Sequence, residues 1–149
     1  LLQVNAEESA KTNPWNHLKK IKEATLLSEG ESIMVRTADE MITEIRQQMR
    51  GGTGEVRIKQ IFQPGEIKGK ARLIAEFTLP EGSSVGFHTH DNEEEIYYFL
   101  SGRGEVDDNG ERRRIGPGDA MHTGEGKGHA VFNTGSEPLQ FMAVILLYD

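Results

Sequence analysis

The sequence contains no cysteine. That excludes disulfides and thiolate metal sites, so any metal must be held by imidazole and carboxylate. Long apolar runs are missing as well. The most apolar stretch, FMAVILLY at 141–148, has the length of a buried strand and falls far short of a membrane span. Basic charge is in deficit, with 17 Lys and Arg against 24 Asp and Glu and a formal net charge of −7. This argues against nucleic acid or an anionic membrane as the main partner. No serine sits on a strand–turn–helix elbow, and GRGEVDDNG at 102–110 lacks the lysine and helix of a phosphate loop. The N-terminal stretch LLQVNAEESAKTNPW is too polar for a secretory leader, and a cytoplasmic location is the expectation.

What is present fits one domain: 149 residues, enough to bury a core without cross-links. Two helices are expected first. Asn13-Pro14 reads as an N-cap followed by proline at the first helical position, opening a helix over 14–27 that contains His17. Thr37 and Glu40 fit a capping box, and Met41, Ile42, Ile45 and Met49 follow at helical spacing up to Gly51-Gly52, which predicts a helix over 38–50. These features suggest an N-terminal helical extension over 1–36 and a single barrel domain over 37–149.

After Gly54 the period becomes two. EVRIKQIF at 55–62, RLIAEFTL at 72–79, EIYYFLSG at 95–102, AVFNT at 130–134 and PLQFMAVILLY at 138–148 read as strands. Asn109-Gly110 between short extended runs marks a hairpin, and Arg112–Arg114 beyond it read as a charged edge strand. Many short strands joined by glycine turns imply an all-β antiparallel sandwich or barrel.

The chemistry concentrates in GFHTHDNEEEIYYFLSG at 86–102. His88 and His90 stand two apart, so an extended backbone points both imidazoles the same way. Glu95 opens the next strand, which is expected to pair antiparallel beside them. Its parity, shared with Tyr97 and Phe99, turns it inward, while Glu93 and Glu94 are expected to be solvated. His129 begins a later strand. Three imidazoles and one carboxylate suit one divalent first-row metal. Tyr97 and Phe99 are candidates for lining a substrate pocket, although core packing is the simpler role for Phe99. His122 reads as an ordinary strand residue, and Arg57 and Arg72 as solvent-facing.

Gly82-x5-His88-x-His90-x4-Glu95-x6-Gly102 resembles the first motif of the cupin superfamily. Gly118-Asp119-x4-Gly124-x-Gly126-x2-His129-x3-Asn133 resembles its second. The family usually has proline where this chain has Gly124, which is expected to loosen the loop entering the His129 strand. The resemblance implies a double-stranded β-helix, or jelly roll. It also implies that His88, His90, Glu95 and His129 bind one ion of manganese, iron, nickel or zinc inside the barrel, and that Asn133 holds a turn. The strand pattern is similar to small oxalate-decarboxylase-like cupins. The first functional reading is therefore a metal-dependent enzyme acting on a small organic acid, with decarboxylase- or oxygenase-like chemistry. The alternatives are a non-catalytic cupin that binds a small carboxylate or sugar acid, and a sugar or sugar-acid isomerase. The 141–148 run is apolar on both parities, so one face needs cover from outside the barrel, and a homodimer is expected.

Overall fold

The computed structural model describes residues 35–148. The helix expected over 14–27, His17, and all but the last two residues of the 1–36 extension lie outside the described residues.

Among the described residues there are ten strands: β1 (Ile42–Gln47), β2 (Glu55–Phe62), β3 (Ala71–Leu79), β4 (Ser84–Thr89), β5 (Glu93–Ser101), β6 (Gly104–Asp108), β7 (Glu111–Ile115), β8 (Ala120–Thr123), β9 (Gly128–Phe132) and β10 (Leu139–Leu147). They form a six-stranded sheet in the order β1-β2-β3-β10-β5-β8 and a four-stranded sheet in the order β4-β9-β6-β7. Every pairing is antiparallel. This is the jelly roll that the motifs imply.

Alternation sets the faces. Along β5, Glu95, Tyr97 and Phe99 are buried, whereas Ile96, Tyr98 and Leu100 are exposed. Ala75, Phe77 and Leu79 of β3 and Leu139, Phe141 and Ala143 of β10 are buried beside them, and Val85, Val106 and Val131 come from the other sheet. Phe141 anchors the cluster, stacked on Phe77 at 5.3 Å and packed on Tyr97 at 4.6 Å and Phe99 at 5.4 Å. Burial of each such aromatic contributes about 1.5–3 kcal/mol. Asn109 and Gly110, at φ 50° and 98°, make the tight turn between β6 and β7, and β7 is a sheet edge carrying Arg112–Arg114.

One element differs from the sequence reading. The capping box at Thr37 is present, with the Thr37 N–H donating to Glu40 Oε2 at 2.8 Å, but it closes a single 3-10 turn over Ala38–Glu40. The next residues form β1 instead of a helix, paired with β2 from Ile42↔Gln60 to Gln47↔Glu55. The helical stripe of Met41, Ile42, Ile45 and Met49 is short, and the segment carries β-branched Ile42, Thr43 and Ile45, which sit well on a pleated surface. Pairing with β2 supplies their backbone partners, a non-local gain that local spacing cannot report. Gly51 and Gly52 then serve in the β1–β2 loop and not as a helix stop.

That loop is tied to the start of β4. Ser84 N–H donates to Thr53 O at 2.9 Å, Thr53 N–H to Ser84 Oγ at 2.8 Å, and Thr53 Oγ1–H to Gly82 O at 2.8 Å. The backbones touch: a Cβ on Gly86 would strike the carbonyl oxygen of Arg50, and one on Gly52 would strike that of Ser84. Only glycine permits this approach.

Candidate metal centre

His88 lies on β4 directly opposite His129 on β9. His90 follows β4 by one residue, and its N–H donates to Lys127 O at 3.1 Å, which holds it against the β8–β9 loop. Glu95 comes from the other sheet. Its strand, β5, does not pair with β4 as the sequence suggested; it lies between β10 and β8, and Glu95 meets the imidazoles across the interior. The order of strands in the sheets decides this, and strand parity alone cannot.

The four side chains converge. Glu95 Oε2 stands 3.0 Å from His90 Nε2, 3.0 Å from His129 Nε2 and 3.6 Å from His88 Nε2. The Nε2 atoms of His129 lie 3.2 Å from that of His88 and 3.4 Å from that of His90. Four donors at these spacings close around an ion held ~2.0–2.2 Å from each nitrogen or carboxylate oxygen. Glu95 Oε2 is buried and makes no hydrogen bond of good geometry, although three ring nitrogens surround it. An orphaned carboxylate oxygen amid nitrogens that turn lone pairs toward one point is what a cation would satisfy.

The outward nitrogens explain why the Nε2 atoms face inward. His88 Nδ1 is 2.9 Å from Gly86 O, His90 Nδ1 is 2.9 Å from Glu93 Oε1, and His129 Nδ1 is 2.8 Å from Thr123 Oγ1. Each partner can accept the Nδ1 proton and thereby fixes the tautomer that leaves Nε2 free to ligate. Glu93 is itself gripped by Arg72, whose Nη2 and Nε donate at 2.6 and 2.7 Å. Glu93 is thus not the solvated carboxylate expected: its side chain is only 15% exposed. Arg72 is solvent-exposed as read, with 46% of its side chain accessible, and from there it also clamps Glu93. Thr123 was missed because its role depends on β8 pairing with β5, Glu95 opposite Thr123. Glu94 does face outward and pairs with exposed His122 at 2.8 Å.

Electrostatics follow from burial and proximity. Burial works to raise the Glu95 carboxyl, but the close approach of the His129, His88 and His90 imidazoles outweighs it and holds the group ionised far below the usual range. Burial lowers His129, with Glu95 opposing. Burial also works to lower His90, but Glu95 and Glu93 overcome it and leave its pKa above the ordinary value.

His88, His90 and Glu95 of the tetrad open on a cavity of about 110 Å³ whose other walls include Arg46, Met49, Arg50, Gln60, Arg72 and Tyr97. Tyr97 stacks on the His129 ring at 4.9 Å, and burial, then the charge of Glu95, push its hydroxyl well above the usual pKa. Phe99, fully buried against Phe141, is not among the cavity walls. Arg57 is exposed and pairs with Glu55 at 2.7 Å. Asn133 holds a turn: its Nδ2 donates to Leu79 O and Glu137 O, both at 2.9 Å, and its Oδ1 accepts from Gly135 N–H. A Cβ at Gly124 would lie 2.7 Å from the Tyr148 hydroxyl and 3.0 Å from Glu94 Cβ.

Comparison with known proteins agrees with this architecture. Residues 75–145 match the family described as Cupin domain. An oxalate-binding protein of Thermotoga maritima is 44% identical over 121 residues, which cover 81% of this chain and 99% of the relative. A crystal structure from the same organism, described as a predicted oxalate decarboxylase, superposes with a TM-score of 0.73 at 45% identity, over 76% of this chain and 99% of that one. A polyketide cyclase from Streptomyces resistomycificus shares the fold, with a TM-score of 0.64 at 20% identity, over 78% of this chain and 81% of that one. On both its motifs and these matches, the chain belongs to the cupin family.

Proposed function

We propose that His88, His90, Glu95 and His129 hold one divalent transition metal and that the protein binds a small carboxylate on it, oxalate being the first to test. One observation carries this reading: three Nε2 atoms and one orphaned, ionised Oε2 point at the same buried spot. The oxalate-binding relative supports the choice of ligand class. Four protein donors on a metal that prefers six leave two positions, and the bound ion would supply Lewis acidity to a chelating carboxylate there.

The chain's own residues favour capture over turnover. Among the described residues, Glu95 is the only carboxylate in the cavity walls, and it belongs to the tetrad. Tyr97, the remaining hydroxyl, retains its proton because of burial. No free general acid or base stands beside the ligand position among the described residues. The test has two parts. Elemental analysis of protein purified without chelator should give close to one divalent ion per chain. Calorimetric titration of that protein with oxalate should show saturable binding that disappears in His88→Ala and His129→Ala. Metal retained in full by either variant refutes the site. Steady production of formate or carbon dioxide from oxalate would replace the binding reading with a catalytic one.

The outer face of the six-stranded sheet supports a homodimer. Ile96, Tyr98 and Leu100 are 37%, 50% and 41% exposed there, beside half-buried Met142 and Val144. Sedimentation at micromolar concentration should give a dimer, and Tyr98→Glu with Met142→Glu should give a monomer.

A further inference from the structure

Among the described residues, three arginines border the cavity, and two are already neutralised. Arg46 donates to Glu44 at 2.8 and 3.1 Å, and Arg72 is held by Glu93. Arg50 has no carboxylate partner among the described residues, and its charge acts on the Tyr97 hydroxyl inside the cavity. Its backbone is also unusual. Arg50 sits at φ 56°, ψ 29° in the Met49–Gly51 turn, a left-handed conformation that a non-glycine residue adopts at a cost. The turn is pressed onto β4 by the Arg50 carbonyl–Gly86 approach, so the surrounding structure enforces that conformation. Gln60, also in the cavity wall, carries a buried amide oxygen without a partner among the described residues. After a flip of the amide plane, the same group would offer an N–H to an oxygen.

We propose that Arg50 is the specificity-determining residue of this pocket, selecting a dianionic ligand by binding the carboxylate oxygens that face away from the metal. The proposal rests on the metal-and-carboxylate reading above and names the ligand charge that reading leaves open. Charge balance supports it. The Arg46–Glu44 and Arg72–Glu93 pairs are each neutral, and ligating histidines are neutral. A divalent ion beside Glu95 leaves one positive charge, and Arg50 adds a second. A dianion such as oxalate neutralises the cavity, whereas a monoanion leaves the exposed Arg50 with only solvent to pair its charge. A planar guanidinium also fits the two oxygens of a carboxylate edge.

The experiment compares the parent protein with Arg50→Asn and Arg50→Lys, all loaded with Mn²⁺. Asparagine tolerates the left-handed conformation, so Arg50→Asn should keep or raise the thermal midpoint. Calorimetry then compares oxalate with glycolate, a chelator of similar size carrying one charge fewer. Oxalate affinity should fall ~10- to 100-fold in Arg50→Asn, the loss of one hydrogen-bonded charge, and recover in part in Arg50→Lys. Glycolate affinity should change less than ~threefold, and so should Mn²⁺ affinity measured without carboxylate, because Arg50 is not a ligand. An oxalate-to-glycolate ratio equal in parent and Arg50→Asn overturns the role of Arg50 while leaving the metal site standing. A parent that takes up no Mn²⁺, or takes it up and binds no carboxylate, overturns the underlying reading and this proposal together. The parent alone reveals that failure, so the two are distinguishable.

Discussion

Glu93, Glu94 and Glu95 are chemically alike, and the structure gives them three different environments. Replacing each with glutamine therefore isolates geometry. Glu95→Gln removes the charged donor from a buried tetrad in which its Oε2 lies 3.0 Å from two imidazole nitrogens. Breaking a buried charged pair costs about 3–5 kcal/mol, so metal affinity should fall by roughly two to four decades. Glu93→Gln leaves the tetrad intact. It weakens the acceptor that holds His90 Nδ1 at 2.9 Å and removes one of the two oxygens that accept from Arg72 at 2.6 and 2.7 Å. Loss of such an outer partner typically costs ~10- to 100-fold in metal affinity, about 1.4–2.7 kcal/mol. Glu94→Gln touches only an exposed pair with His122, and affinity should stay within about twofold. The assay is competition with a chromophoric chelator for Zn²⁺ at one pH and ionic strength, with circular dichroism to verify folding. The expected order of loss is Glu95, then Glu93, then Glu94. Glu93→Gln indistinguishable from parent would refute the argument that the Glu93 carboxylate orients His90. Loss of metal in Glu94→Gln with retention in Glu95→Gln would refute the facing of β5 altogether.

Metal affinity should also depend on pH. In the metal-free protein His90 titrates above 6.5, because Glu95 and Glu93 outweigh its burial, so a proton must leave when metal enters. Affinity should climb with pH by up to ~tenfold per unit until the raised His90 pKa is passed, and constant affinity across this window would contradict it. By the same shift, His90 stabilises the metal-free fold fully below pH 6.5, and that contribution is lost as pH rises through its folded pKa. Gly86→Ala forces a Cβ onto the Arg50 carbonyl and should destabilise the protein by about 1–3 kcal/mol in urea unfolding; unchanged stability would mean the loop lifts freely from β4. Asn133→Ala leaves the buried Leu79 O, and with it the Glu137 O of the turn, without their donor and should cost about 1–3 kcal/mol, read as a lower thermal midpoint.

Much of this protein is written in local periods. Alternation along 72–79, 95–101 and 139–147 sets which side chains face the core, and the Asn109-Gly110 turn sets one hairpin, because pleat and turn geometry are properties of neighbouring residues. The inward facing of Glu95, Tyr97 and Phe99 was legible for the same reason. The strand β1 was not legible, since its residues satisfy a short helical spacing and only the partner strand β2 decides between the two. Nor could spacing show that β4 and β5, separated by three residues, lie in opposite sheets, so that Glu95 reaches His88, His90 and His129 across the interior. The roles of Glu93, Thr123 and Arg50 depend on the same non-local assembly. Arg72 comes from β3 to grip Glu93, β8 sets Thr123 beside His129, and the β1–β2 loop docks on Gly86 to put Arg50 at the cavity mouth. A side chain's facing is set by its own backbone, but its partner is set by whichever strand the fold lays beside or across from it, and that choice appears only once both sheets are assembled.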